Sequence, residues 1–272
     1  MTGPDDAQAT GYDGYRDALR DFVALIGELR AEDWALPTDL PGWTVQDNVS
    51  HVIGLESDLL GRPLPDHLPD WDRLPHVRDH LGRFMEVAVD VRRAATPEQL
   101  LAELREVVAE RIRALEQGQA RAEDAAATGY FRDVDRMLAI RPFDIWAHEQ
   151  DIRRATARPG NLDSTGARAA RRQILAALPM VIGSRVRPEP GTRVVWDVEG
   201  PLSLHAGVAM SRSGQAVSDD PEAPGPTVLI RLGWEDFVML ACGRRLPAAC
   251  TVEVEGDAGL AERVLAAMAI TP

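Results

Sequence analysis

The stretch Arg187-Pro188-Glu189-Pro190-Gly191 separates two hydrophobic patterns, and its position decides the fold. Before it, apolar residues recur at three- and four-residue steps, the spacing of one face of an α-helix; after it they alternate, the spacing of a half-buried strand. Two prolines and a glycine in five residues suit neither element and mark a connection. The expectation is therefore an α+β chain, with a helical domain over residues 1–187 and a small α/β domain over residues 188–272.

Working back from that stretch, Asp163 or Ser164 is placed to cap a helix running toward Ser184. A helix opening at Arg141-Pro142 carries Phe143, Trp146, Ala147 and Ile152 on its apolar face and ends at Arg158-Pro159-Gly160-Asn161, because proline suits a first helical turn and the closing proline and glycine cannot continue one. Residues 117–139 are polar, small and weakly periodic and read as a long connection with some helix. Pro97 to Glu116 and His80 to Arg93 are helical, and the proline-rich Arg62 to Pro75 is a loop. Thr44 with Asp47 forms a capping box that starts a helix over Val45 to Leu60, with Asn48, His51, Val52 and Leu55 on one face and His51 pointing inward. Tyr15, Leu19, Phe22, Val23, Ile26 and Leu29 mark the first helix, Tyr12 to Arg30. Downstream, Val195, Asp197, Leu202, Leu204, Val228, Ile230, Val252 and Val254 mark short strands, with helices at Trp234 to Cys242 and Asp257 to Met268.

Composition narrows the function. With 30 basic and 43 acidic residues the 272-residue chain carries a formal charge of −13, which argues against nucleic-acid binding. At 45% hydrophobic and 27% charged it has the composition of an ordinary globular protein. No apolar run approaches the roughly 18–20 residues needed to span a bilayer, so no membrane partner is expected. Met1 to Thr10 is acidic and small, unlike a secretory signal. Cys242 and Cys250 are too few for a disulfide framework, and a reducing cytoplasm is the expected compartment.

One constellation carries chemistry. Asp144 and His148 lie four residues apart, so on a helix they project from one face and can chelate a single divalent metal. Asp151, three residues further on, shares that face and is placed to orient an imidazole from behind. His51 is the natural third ligand. Two histidines and a carboxylate leave one coordination position open, the pattern of catalytic rather than structural zinc. The alternative reading of Asp144 and His148 is a helix-stabilising pair, and of His51 a hydrogen-bonded core histidine. His67, His76, His80 and His205 read as surface or loop residues without comparable partners, Arg153 and Arg154 as solvated charges, and Trp43 and Trp146 as core or pocket wall.

The segment Leu40-Pro41-Gly42-Trp43-Thr44-Val45-Gln46-Asp47-Asn48-Val49-Ser50-His51-Val52-Ile53-Gly54 resembles the N-terminal signature of the mycothiol-dependent maleylpyruvate isomerases, which belong to the DinB-like metal-binding helical bundles. Arg141-Pro142-Phe143-Asp144-Ile145-Trp146-Ala147-His148-Glu149-Gln150-Asp151-Ile152-Arg153-Arg154-Ala155 resembles the second metal-binding signature of that family. Trp234-Glu235-Asp236-Phe237, Gly243-Arg244 and Val252-Glu253-Val254-Glu255-Gly256-Asp257 are similar to its second domain, related to sterol-carrier-protein folds. The resemblance implies a DinB-like four-helix bundle followed by a sterol-carrier-like α/β domain, with His51, Asp144 and His148 on zinc. The founding isomerases look to use glutamate where this chain has Asp144, a carboxylate shorter by one methylene.

The implied activity is that of a zinc-dependent S-transferase or isomerase in which the thiol of mycothiol attacks a small electrophile. An acidic electrophile such as maleylpyruvate needs cationic partners, and Arg244 is the candidate. Two other classes stay open at this point. A zinc hydrolase would activate water, although Glu149, adjacent to His148, points about 100° away and the His-Glu-x-x-His pattern is absent. A non-enzymatic carrier would bind an apolar ligand in the C-terminal domain and need neither metal nor thiol.

Overall fold

In the computed structural model, which describes residues 11–119 and 133–271, the capping box at Thr44 forms as the sequence predicts. The Thr44 side chain accepts from the Asp47 amide and the Asp47 carboxylate accepts from the Thr44 amide at 2.8 Å. This fixes the start of α2 (Val45–Leu59), between α1 (Gly11–Gly27) and α3 (His80–Asp90). α4 (Pro97–Glu116) opens on an equivalent box between Thr96 and Gln99, with Pro97 in its first turn. α5 runs Val134–Ala155.

α1 packs on α4 and α5, and α2 packs on the same two helices, so α1, α2, α4 and α5 close a four-helix bundle with α3 set against α2. Tyr15, Leu19, Phe22, Val49, Val52, Leu104, Val107, Met137 and Ile145 belong to its core. The bundle expected from the sequence is present.

α5 begins two turns before the expected start, and Pro142 lies inside it. Asp133 caps this earlier start by accepting from the Arg136 amide at 3.1 Å. The first turns bury Met137, Leu138 and Arg141, and that burial outweighs the hydrogen bond that a proline lacking an N–H removes. The rest of the polar connection, residues 120–132, and the acidic stretch Met1–Thr10 lie outside the described residues.

The chain divides into two compact units between Ala169 and Ala170, inside α6 (Thr165–Met180) and earlier than the expected break after residue 187. A π-helical turn over Val181–Val186, directly after α6, packs against β2 and the last helix within the second unit. That unit holds a five-stranded sheet of order β3-β2-β1-β4-β5. Its strands are β1 (Arg193–Glu199), β2 (Leu204–Met210), β3 (Ala216–Asp219), β4 (Val228–Gly233) and β5 (Val252–Gly256). β1 and β4 are parallel and centred on Trp196↔Ile230, while the other pairings are antiparallel. α7 (Trp234–Ala241) and α8 (Ala258–Ala267) pack against the sheet over Val194, Trp196, Val228 and Ile230. Among the described residues, no helix is long and apolar enough to cross a membrane.

Candidate metal centre

α2 and α5 are neighbours in the bundle, and their facing positions bring His51 against Asp144 and His148. One ligand atom from each lies within 4.8 Å of the others. His51 Nε2 is 3.4 Å from Asp144 Oδ2, and His148 Nε2 is 3.7 Å from Asp144 Oδ1. The two imidazole rings are 4.5 Å apart, and Trp43 lies 5.2 Å from one and 5.9 Å from the other, forming a wall over both. Trp146, by contrast, is core: it is 1% exposed and donates through Nε1 to the Asn161 carbonyl.

Trp43 is held by its approach. Gly42 has φ +81°, and a Cβ there would overlap the His76 ring, so this turn requires glycine on both counts. The indole Nε1 then donates to the buried Glu86 carboxylate at 3.0 Å, which also meets His76 Nε2 at 3.2 Å and the Arg93 guanidinium at 2.6 Å. His76 therefore has a carboxylate partner, as does His67, 2.7 Å from Asp90, and as does His205, 2.9 Å from Glu222. His80 is exposed at the start of α3. Arg153 and Arg154 are not solvated charges either: Arg153 pairs with Glu149 at 2.7 Å, and Arg154 with Asp151 at 2.5 Å and Asp39 at 2.6 Å.

His148 is oriented chiefly by Asn48, which the sequence placed on the correct face of α2 without assigning it a task. The Asn48 amide nitrogen donates to Thr38 Oγ1 at 3.1 Å and the Thr44 carbonyl at 2.9 Å, so its oxygen faces His148 Nδ1, 2.7 Å away. Nδ1 is then the protonated nitrogen, and Nε2 turns its lone pair toward Asp144 and His51. Asp151, fully buried, stands 3.6 Å from the same Nδ1 and supports the orientation from the side.

His51 is the unsatisfied member. Both its ring nitrogens are buried without a hydrogen-bond partner, although a buried polar atom normally has one. Burial and the neighbouring His148 push its pKa down to about 4, so it is neutral and able to donate a lone pair near neutral pH. Burial would lower His148 too, but Asp144 and Asp151 outweigh it and raise the value. Burial would raise Asp144, yet the Arg141 guanidinium beside it holds the carboxyl well below the usual range.

Arg141 leads into a network that sequence reasoning missed. Its Nη1 meets Asp144 Oδ2, and its Nε and Nη2 meet Glu56 Oε1, the former at 3.1 Å. The other oxygen of Glu56 accepts from Arg111 Nε at 3.2 Å and from the Tyr15 hydroxyl at 2.5 Å. Glu56 on α2 thus joins α1, α4 and α5 and anchors a metal-ligand candidate through Arg141. The buried Glu56 and the partly exposed Asp144 balance the two buried guanidiniums, the pairing that buried charges require.

Residues 15–153 match the family model described as the mycothiol maleylpyruvate isomerase N-terminal domain, and residues 168–263 match the model for the C-terminal domain of the same family. The chain belongs to the mycothiol maleylpyruvate isomerase family. The second match begins beside the Ala169/Ala170 division of the structure. A crystal structure of the mycothiol-dependent maleylpyruvate isomerase is similar over 93% of this chain and 96% of that one, at 16% identity and a TM-score of 0.55. A histidine-to-alanine mutant of that isomerase is similar over the same shares, at 15% identity and 0.51. At such identities the likeness concerns the fold. No curated protein matches the chain. Within this family member Arg244 lies in the second unit, where its Nη1 donates to the Cys242 carbonyl at 2.6 Å and approaches Thr271 Oγ1 at 3.4 Å.

Proposed function

We propose that His51, Asp144 and His148 hold a divalent metal, with zinc the best match to two imidazoles and one carboxylate, and that the protein uses mycothiol as the thiol in an S-transfer or isomerisation on a small electrophile. The observation carrying this reading is the pair of orphaned ring nitrogens on His51, buried beside two further ligand atoms. Bound there, the ion would supply a Lewis acid at which a thiol loses its proton near neutral pH.

The chain's own groups define what surrounds that event. Asn48 fixes the His148 tautomer, Arg141 keeps Asp144 ionised and aimed, and Trp43 covers the imidazoles on one side. The geometry favours an external thiol over a hydrolytic water, because the carboxylate adjacent to His148 is otherwise engaged. Glu149 accepts from Arg153 at 2.7 Å and from Asn161 at 2.8 Å and lies fully buried, so it is no base for this site. Neither internal thiol belongs to the ligand group.

Metal content by elemental mass spectrometry, on protein made without a metal-binding tag, tests the proposal. About one zinc per chain, absent from His51→Ala, followed by mycothiol consumption with an electrophile, is the expected result. Metal-free protein that stays so after zinc is supplied would overturn it.

A further inference from the structure

Among the described residues, the carboxylates around the candidate centre each meet a guanidinium. Asp144 meets Arg141, Asp151 behind His148 meets Arg154 at 2.5 Å, and Glu56 meets both Arg141 and Arg111. Tyr15 adds a neutral hydroxyl, which donates to Glu56 at 2.5 Å. Three carboxylates thus stand against three guanidiniums, and the two imidazoles would bring lone pairs without charge. A divalent cation held there keeps its charge uncompensated. Two imidazoles with an unpaired carboxylate would instead cancel one unit of it.

The way in passes the same group. Of the three ligand side chains only Asp144 reaches solvent, at 29% exposed against 6% for each imidazole. An external ligand therefore enters beside a carboxylate, which if unpaired would repel an anion. Arg141 occupies its Oδ2, is itself fully buried, and has Nε and Nη2 committed to Glu56. It cannot swing out to grip the newcomer and acts only through the charge it cancels. We infer that Arg141 sets the electrical balance of the centre, so that the ligand taken up beside Asp144 is an anion, the thiolate form of a thiol, in preference to a neutral molecule. The inference deepens the metal-and-thiol reading and rests on it. In that uptake the S–H bond breaks, its electron pair stays on sulfur and the proton passes to solvent. Arg141 is a positioning residue here, since its contact is with Asp144 and not with the thiol.

The test supplies cobalt(II) in place of zinc to the full-length protein, because cobalt accepts the same donors and its visible absorption reports what surrounds it. Sodium thiocyanate and thiourea, an anionic and a neutral sulfur ligand of similar size, are titrated at fixed ionic strength into the wild type and into Arg141→Gln. That variant keeps an N–H donor and loses the charge. The ratio of thiocyanate to thiourea affinity is expected to fall about tenfold in it. A role in aiming Asp144 alone would weaken cobalt binding and leave the ratio where it was, and an unchanged ratio overturns the inference. Should Arg141→Gln not fold, Glu56→Gln removes a negative charge from the same network, and the ratio is expected to rise about threefold or more; a ratio that stays or falls overturns the inference. A cobalt protein whose spectrum responds to neither ligand overturns it as well. Wild-type protein that binds no cobalt fails the metal reading and the inference together, whereas cobalt bound with an unmoved ratio fails the inference alone.

Discussion

The two units bury opposite kinds of side chain. Among the described residues, every buried charged, amide, hydroxyl or imidazole side chain lies in the first unit, from Tyr15 to Asp151. The second unit is filled by Val194, Trp196, Val228, Ile230, Phe237 and Val264. A core made only for stability has no need of ions, because apolar groups of equal volume fill it as well or better. Buried polarity concentrated in one unit therefore sets apart the unit that holds the proposed metal centre, while the other is built as an apolar core.

The comparison breaks most decisively at the ligands. His148→Ala should lower zinc affinity by more than the roughly 10–100-fold that loss of an orienting partner costs, with little change in the unfolding midpoint of the metal-free protein. Equilibrium dialysis against zinc and urea unfolding check the two halves of that statement. Next comes the network behind them. Glu56→Ala leaves Arg111 and Arg141 buried without their shared carboxylate and should cost about 3–5 kcal/mol in urea unfolding.

In the second unit a loss of similar size should arise from the opposite cause. Phe237→Ala, at a fully buried position, should cost about 3–5 kcal/mol through a cavity, while the folded fraction keeps its zinc. A smaller effect is expected at Asn48→Ala, where zinc affinity should drop about 10–100-fold because His148 loses the acceptor that fixes its tautomer. An unchanged affinity would transfer that role to Asp151.

The smallest effect concerns pH. Hydrogen bonds from Arg30, joined by Arg158, hold the Asp33 carboxyl at about 2, below its ordinary 3.8. A depressed carboxylate stabilises the fold above its unfolded value and loses that contribution as pH falls through the folded one. The destabilisation caused by Arg158→Ala should therefore be full at pH 6 and fade between about pH 4 and pH 2, as thermal unfolding across that range would show.

Much of this was legible in the residue order because the signals were local. Thr44 and Asp47 announced α2, Pro97 announced α4, and the i,i+4 spacing of Asp144 and His148 placed both on one face. Where the determinant was distant, the sequence was mute. The early start of α5 depends on Met137 and Leu138 finding a core, which overrides a polar stretch and an internal proline. β3 is short and half exposed and carries no alternation of its own; its pairing with β2 defines it. Glu56, Arg111, Arg141 and Tyr15 are scattered over four helices, and nothing in their neighbours along the chain predicts that they meet.

The contact of Gly54 with Ala88 bears on how such a protein can change over generations. Position 54 is closed to any side chain, since even a methyl group would drive α2 from α3 and carry His51 with it. The crossing of α2 and α3, which sets where His51 stands, is therefore held fixed by the smallest residue in the chain.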